Sequence, residues 1–220
     1  MAPNPGKGLE VPVRGPSRDA EGFSVVGIGA SAGGLEACRQ LLGALPPASG
    51  VAIIIVQHLD PTHENLMVDL LVGHTPMTVC QATEGMPVEP NHVYVIPPGA
   101  YLSTDGGALH LSQPKAGQGV RLPFDFFLGT LAAAFGRRAV AVVLSGTGTD
   151  GSVGLKEIKS AGGLVIAQDP DEAGFNGMPR SAIATGAVDQ VLPVARIGKA
   201  LIGPRSADDP RAASGQAGSQ

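Results

Sequence analysis

The feature that most constrains the fold of this chain is the alternation of short apolar segments with segments of helical pattern. The clearest apolar segment runs from Val51 to Val56, six residues without a polar interruption, which is typical of a strand buried on both faces. Similar segments run from Phe23 to Ile28, from Ala139 to Leu144 and from Leu164 to Ala167, and a helical pattern or a loop and a helix follows each. This alternation predicts an α/β fold, with a mostly parallel β-sheet and helices on both of its faces.

The segment of about residues 76–122 differs, because its apolar pieces are short and rich in β-forming residues. They include His92 to Ile96 and Ala108 to Leu111, and a turn of sequence DGG at residues 105–107 precedes the second. Such a turn between two strand patterns predicts an antiparallel hairpin.

The alternating pattern occupies only residues 23–203. Residues 1–22 contain prolines, glycines and scattered charges without periodicity, and residues 204–220 are small and polar. We therefore expect a flexible leader, one globular domain and a disordered tail. A total of 220 residues fits one domain of this kind.

Composition excludes several classes of function. The net charge of −4, the absence of Trp and the aromatic content of 4% argue against a nucleic-acid-binding protein, which needs a basic face or stacking platforms. No apolar run approaches the roughly 18 residues that a membrane helix needs, and no signal peptide is visible. Cys38 and Cys80 lack metal-site or disulfide spacing, so we expect a reduced, cytoplasmic location.

A glycine-rich loop, residues 27–34 (GIGASAGG), follows the first predicted strand. Gly27, Gly29 and Ala32 match the dinucleotide fingerprint G-x-G-x-x-G/A. The segment from Gly29 to Gly33 also matches the nucleophile elbow G-x-S-x-G, in which glycines allow a sharp turn that exposes Ser31. Ser31 is alternatively an ordinary helix N-cap, so three interpretations stay open at this loop.

The second predicted strand ends beside His58. A dinucleotide site needs an acidic residue at the end of this strand to bind the ribose. His58 cannot do so, and Asp60 lies past the strand. His58 instead suits a general base for a serine at the end of a neighbouring strand.

A third loop, residues 145–151 (SGTGTDG), follows the apolar segment that ends at Leu144 and contains Asp150. An aspartate that opens a helix is commonly an N-cap. Together with Ser31 and His58, however, Asp150 completes the set of nucleophile, base and orienting carboxylate that a serine hydrolase needs. The order Ser, His, Asp along the chain is not diagnostic, because triads are recognised by geometry.

The same region also contains four side chains of the types that bind metals. His58, Asp60, His63 and Glu64 lie close together in sequence, but their spacing is not a recognised zinc pattern and Pro61 interrupts any shared helix face. We therefore expect no metal and no other cofactor.

Five blocks occur in a fixed order, and together they are far more specific than any single motif: VVGIGASAGGLEA, IIIVQHLDPTHE, VEPNHVYVIPPG, VVLSGTGTDGSVGLKEIKSAGG and AQDPDEAGFNGMPRSAIATGAVDQVLP. Over about residues 23–203 they resemble the catalytic domain of the bacterial chemotaxis protein-glutamate methylesterases of the CheB type. The resemblance implies a doubly wound, mostly parallel sheet with a small antiparallel β-hairpin near the active site. It also implies Ser31 as nucleophile, with His58 and Asp150 as the other members of the triad.

The activity implied is hydrolysis of glutamate γ-methyl esters on the cytoplasmic helices of chemoreceptors, with release of methanol. Some members also deamidate receptor glutamines. Only 22 residues precede the first predicted strand, so we expect no receiver domain, as in members that lack one or are fused to a methyltransferase. The alternative from another class is a non-catalytic or nucleotide-binding α/β module on the same scaffold, which the fingerprint match favours and the missing ribose acid opposes.

Two further expectations concern how the substrate is held. The backbone N–H groups of Ala32, at a helix N-terminus, and of Thr147 are the expected oxyanion hole. The loop from Gly174 to Arg180 is the expected wall of an open cleft, with Met178 as an adaptable apolar surface and Arg180 facing an acidic receptor helix. Alternatively, Pro179 starts a helix and Arg180 makes a structural hydrogen bond.

Overall fold

The computed structural model describes residues 22–57, 66–113 and 122–203. Ten strands lie in these ranges: β1 (Val25–Ala30), β2 (Ala52–Gln57), β3 (Thr78–Gln81), β4 (Met86–Pro87), β5 (His92–Val95), β6 (Tyr101–Asp105), β7 (Ala108–Ser112), β8 (Ala139–Val143), β9 (Leu164–Gln168) and β10 (Gln190–Leu192). Six α-helices join them: α1 (Gly34–Gly43), α2 (Met67–Val72), α3 (Pro123–Phe135), α4 (Gly154–Ser160), α5 (Gly177–Ala184) and α6 (Val194–Ile202). The expected tail lies outside the described residues, and so does the expected leader apart from Gly22.

Seven strands form one sheet in the order β10-β9-β8-β1-β2-β5-β3, and every neighbouring pair in it is parallel. The chain leaves β1 toward β2 on one side and later returns to β8 on the other. The strand order therefore reverses between β1 and β8, and this reversal creates the crevice where open α/β sheets bind their ligands. The predicted doubly wound, parallel sheet is confirmed.

Helices cover both faces of the sheet. Successive strand residues point to opposite sides and both sets are apolar, so each face has a core to cover. Helices α3, α4 and α5 pack on one face, and α1, α2 and α6 pack on the other. Neighbours in β1 show the alternation: Val25 belongs to the first core and Val26 to the second, and both are 0% exposed. None of the helices in the described ranges has the length and apolar character of a membrane span.

The predicted hairpin is also confirmed, as part of a three-stranded sheet of order β4-β7-β6. Asp105 pairs with Ala108 across its turn. The hairpin packs on α3, where the Tyr101 ring meets the Phe126 ring edge-on, with centroids 5.1 Å apart. One assignment changes: β5, placed among the irregular β-rich pieces by its sequence, is an inner strand of the main sheet, between β2 and β3.

Candidate active site

The loops after β1 and β8 meet at the crevice where the strand order reverses. Ser31 comes directly after β1, and its N–H donates to the Ser145 carbonyl, which follows β8, at 3.1 Å. Gln57, the last residue of β2, reaches the same turn, with its Nε2 3.5 Å from the Ser31 carbonyl oxygen. The structure thus brings Ser31 next to both neighbouring strand ends.

The two glycines of the dinucleotide fingerprint lie within β1 rather than in a loop, since Gly27 and Gly29 pair with both β2 and β8. A Cβ added at Gly27 would lie 2.8 Å from Phe127 Cε1, and one at Gly29 would lie 2.3 Å from two Phe124 ring atoms. Both positions need glycine because α3 packs directly on the strand. Neither glycine forms part of a phosphate-binding loop, so the fingerprint match has a packing explanation.

The turn after β1 does not use Ser31 as a helix cap. The N-cap of α1 is Gly33, in the left-handed conformation with φ of 73°, and no described side chain caps the helix. A Cβ at Gly33 would lie only 2.7 Å from Ser145 Oγ and 3.2 Å from Phe175 Cδ2. The interpretation of Ser31 as an N-cap is therefore wrong, and its partly exposed side chain remains available for chemistry.

Asp150 caps a helix, but not the one that it precedes in sequence. Its Oδ2 accepts the Phe124 N–H at 3.1 Å and its Oδ1 accepts the Asp125 N–H at 2.9 Å, so both oxygens face the N-terminus of α3. Asp125 in turn caps α4, because its Oδ1 accepts the N–H groups of Val153 and Gly154 at 2.9 and 2.8 Å. The two aspartates thereby fix the loop after β8 against α3, and Asp150 is only 7% exposed.

His58 lies outside the described residues, as do Asp60, His63 and Glu64. Gln57, its immediate neighbour, is described and lines a cavity of about 490 Å³. Beside Ser31 and Gln57, this cavity is lined by Ala32, Gly33, Leu35, Glu36 and Arg39. Within the described part of the chain, no group of three or more His, Cys, Asp or Glu side chains is arranged to hold a metal ion.

The two N–H groups expected to form an oxyanion hole are both available. Within the described residues, neither the Ala32 N–H nor the Thr147 N–H donates a hydrogen bond. Ala32 is partly exposed and Thr147 is exposed. Both groups can therefore receive an acceptor from a bound molecule.

The loop expected to form a wall joins the β8 loop through its backbone. Gly146 N–H donates to the Phe175 carbonyl and Met178 N–H donates to the Gly146 carbonyl, both at 2.9 Å. The Met178 side chain is 3% exposed, and a Cβ at Gly146 would lie 2.3 Å from its sulfur and 3.1 Å from Ser31 Cβ. Met178 is therefore buried against Gly146, in the loop after β8. The expectation that it exposes an apolar surface is wrong.

Arg180 lies on the surface, within the first turn of α5. Its Nη2 lies 3.9 Å from Asp171 Oδ1, in an ion pair whose side chains are 63% and 91% exposed. Helix α5 already begins at Gly177, two residues before Pro179. Among the described residues, the guanidinium is thus held by a solvent-exposed contact of small energetic value.

Sequence reasoning missed the residues that support the site. Ser145 is 1% exposed, and its hydroxyl bonds to the turn after β1. Its position directly after a buried strand was the available signal, since Ser31 stands in the same place after β1. The signal at Asp125 was an acidic residue in the first turn of a helix that begins with Pro123.

The chain resembles known proteins over most of its length. A model of the CheB methylesterase family matches residues 26–201. The protein-glutamate methylesterase FrzG of Myxococcus xanthus is 37% identical over 82% of this chain and 54% of its own length. A protein-glutamate methylesterase/protein-glutamine glutaminase of Bordetella avium is 37% identical over 91% of this chain and 58% of its own length.

A solved structure is similar as well. The crystal structure of the Thermotoga maritima CheB methylesterase catalytic domain superposes with a TM-score of 0.76, at 33% identity, over 82% of this chain and 98% of that domain. This chain therefore spans nearly all of that catalytic domain but only 54–58% of the two curated relatives.

Proposed function

Because this chain belongs to the CheB methylesterase family, we propose that it is a serine hydrolase that removes γ-methyl esters from glutamate side chains of chemoreceptors. The observation that carries the proposal is the position of Ser31. It lies in a tight turn at the reversal of strand order, with its N–H bonded to the loop that carries Asp150. This is the place where a parallel α/β sheet holds reacting groups.

The proposed reaction uses Ser31 as nucleophile, His58 as base and Asp150 as the carboxylate that orients the base. Ser31 Oγ forms a bond to the ester carbonyl carbon while His58 takes the hydroxyl proton. The tetrahedral intermediate collapses, and methanol leaves with the proton from His58. Water then attacks the acyl-enzyme, His58 again takes and returns a proton, and free glutamate is released.

Asp150 suits this role because its carboxylate is held in place. It accepts two N–H groups at the N-terminus of α3, where the helix dipole favours negative charge. A carboxylate fixed at both oxygens holds a neighbouring imidazole in one orientation without needing to reorganise.

We assign the oxyanion hole to the backbone N–H groups of Ala32 and Thr147. Their availability within the described residues supports the assignment. The Ala32 residue directly precedes Gly33, the N-cap of α1, at the end of the helix where negative charge is favoured. Each donor should contribute on the order of 3 kcal/mol to transition-state stabilisation.

For the substrate, we propose the methylated cytoplasmic helices of a chemoreceptor, bound across the open rim of the site by one domain comprising residues 23–203. The exposed Arg180 guanidinium is the proposed contact with an acidic helix. Deamidation is a second proposed activity, because relatives carry the name protein-glutamine glutaminase and the same acyl-enzyme forms when ammonia leaves instead of methanol.

The direct test is release of methanol from membranes that carry methylated chemoreceptors. The wild-type protein should release methanol, and Ser31→Ala and His58→Ala should each reduce the rate by at least about 10³-fold. Ser152→Ala is a matched control, since Ser152 lies in the same region after β8 but outside the proposed triad. Methanol release by Ser31→Ala at the wild-type rate would exclude the proposed chemistry.

The same purified proteins also distinguish the proposed esterase from the alternative, a nucleotide-binding module. The structure removes its main support, because Gly27 and Gly29 lie within β1 and accommodate α3. A dinucleotide should therefore not bind at micromolar concentration in isothermal titration calorimetry. Tight binding without any esterase activity would favour the alternative.

A further inference from the structure

We propose that Ser145 is a positioning residue, whose buried hydroxyl sets the geometry of the turn that carries the nucleophile and one oxyanion donor. This inference rests on the proposed function and adds a residue to it. Ser145 does not touch the reacting atoms in this proposal; it acts through the backbone of the turn after β1.

Ser145 holds that turn from two sides. Its carbonyl accepts the Ser31 N–H at 3.1 Å, and its hydroxyl donates to the Ala32 carbonyl at 2.9 Å. The peptide between Ser31 and Ala32, which carries the proposed oxyanion N–H, thus lies between two hydrogen bonds to one residue.

The same hydroxyl also fixes the loop after β9. Ser145 Oγ accepts the Phe175 N–H at 3.0 Å and lies 3.4 Å from the Phe175 carbonyl. The backbone of Ser145 is itself fixed, because its N–H donates to Gln168 Oε1 at 2.7 Å. One hydroxyl therefore joins three loops, those after β1, β8 and β9.

Burial makes these bonds specific to a serine side chain. Ser145 is 1% exposed, so its hydroxyl has little access to water and depends on its protein partners. Loss of the hydroxyl would leave the Ala32 carbonyl and the Phe175 N–H without that partner, and the turn would relax toward other acceptors and donors. A displacement of about 1 Å in a reacting group can cost on the order of 100-fold in rate.

The test is steady-state hydrolysis of p-nitrophenyl acetate, a small activated ester, by wild type, Ser145→Ala and Ser145→Cys. In Ser145→Ala, kcat and kcat/KM should fall together by about 10–100-fold while KM changes less than about threefold, because the turn serves the transition state. Ser145→Cys keeps the shape but donates only weakly, so its kcat should fall between the two. It also carries the test if the alanine variant does not fold.

Ser49→Ala is the matched control for loss of a buried serine hydroxyl. Ser49 is 9% exposed and contacts Met77 and Asn91, before β2 and far from the strand ends that form the site. It should lower the melting temperature without changing kcat.

The outcomes separate this inference from the proposed function. If the wild type hydrolyses the ester in a Ser31-dependent manner and folded Ser145→Ala and Ser145→Cys keep its kcat, the positioning role is wrong and the proposed function stands. A melting temperature that falls in Ser145→Ala without a change in kcat overturns it equally. If the wild type shows no Ser31-dependent hydrolysis of this ester or of methylated receptor, the proposed function fails and the positioning role fails with it.

Discussion

At the scale of single residues, the turn after β1 depends on a glycine for two separate reasons. Gly33 has φ of +73°, and a Cβ there would lie 2.7 Å from Ser145 Oγ. Gly186 has the same φ of +73°, with nothing within 4 Å of an added Cβ. A comparison of substitutions at Gly33 and Gly186 therefore distinguishes backbone strain from crowding against the Ser145 hydroxyl.

We expect Gly186→Ala to cost about 1–2 kcal/mol of unfolding free energy from the left-handed conformation alone, with kcat unchanged. Gly33→Ala should cost more and should also lower kcat, because the added carbon displaces Ser145 Oγ and with it the turn. Urea denaturation and ester hydrolysis measure the two effects. Equal stability losses with equal kcat values would show that Ser145 and Gly33 are not in close contact.

At the scale of elements, the two helices beside the site cap each other's N-termini. Asp150, in the loop before α4, caps α3, and Asp125, in the first turn of α3, caps α4. Asp150 uses both carboxylate oxygens on α3, whereas Asp125 uses only Oδ1 on α4. An amide keeps one carbonyl oxygen, so Asn should replace Asp125 well and Asp150 poorly.

We therefore expect Asp125→Asn to change stability by less than about 1 kcal/mol, whereas Asp125→Ala should cost about 1–2 kcal/mol. Asp150→Asn should cost about 1–3 kcal/mol and reduce kcat by about 10³–10⁴-fold while leaving measurable turnover. Thermal unfolding and methanol release provide the two readouts. Wild-type kcat in a folded Asp150→Asn protein would assign Asp150 to structure alone.

The elements also show what the sequence could predict. The pattern of apolar residues was sufficient to predict the parallel sheet, since continuous apolar strands such as β2 must be buried on both faces. It placed β5 wrongly because His92 and Tyr94 give a half-polar strand, and only the tertiary structure shows that β2 and β3 enclose it. Gly27 and Gly29 were ambiguous for a similar reason: the need for glycine comes from Phe124 and Phe127, about 100 residues away in sequence. Ser31 and Asp150 could be selected because each follows a buried strand, whereas their hydrogen-bond partners are long-range.

At the scale of the whole molecule, charge limits how a receptor can be recognised. The net charge of −4 gives no long-range attraction to an acidic receptor helix. Any favourable electrostatic contact must be local. The proposed contact is Arg180, which among the described residues is paired with the exposed Asp171.

We expect Arg180→Ala to lower kcat/KM for methylated receptor about fivefold, the equivalent of ~1 kcal/mol, while hydrolysis of p-nitrophenyl acetate stays unchanged. Arg196→Ala is the control, because Arg196 is exposed on α6, on the opposite face of the sheet. Equal losses on both substrates, with a lowered melting temperature, would assign Arg180 to structure.

Covalent trapping tests most directly whether Ser31 is the nucleophile. A fluorophosphonate reacts with an activated serine when the serine oxygen bonds to phosphorus and fluoride leaves, and peptide mass spectrometry then locates the adduct. We predict a single adduct on Ser31, which is lost in Ser31→Ala and forms more slowly in His58→Ala. An adduct on another residue, or unchanged labelling of Ser31→Ala, would contradict it.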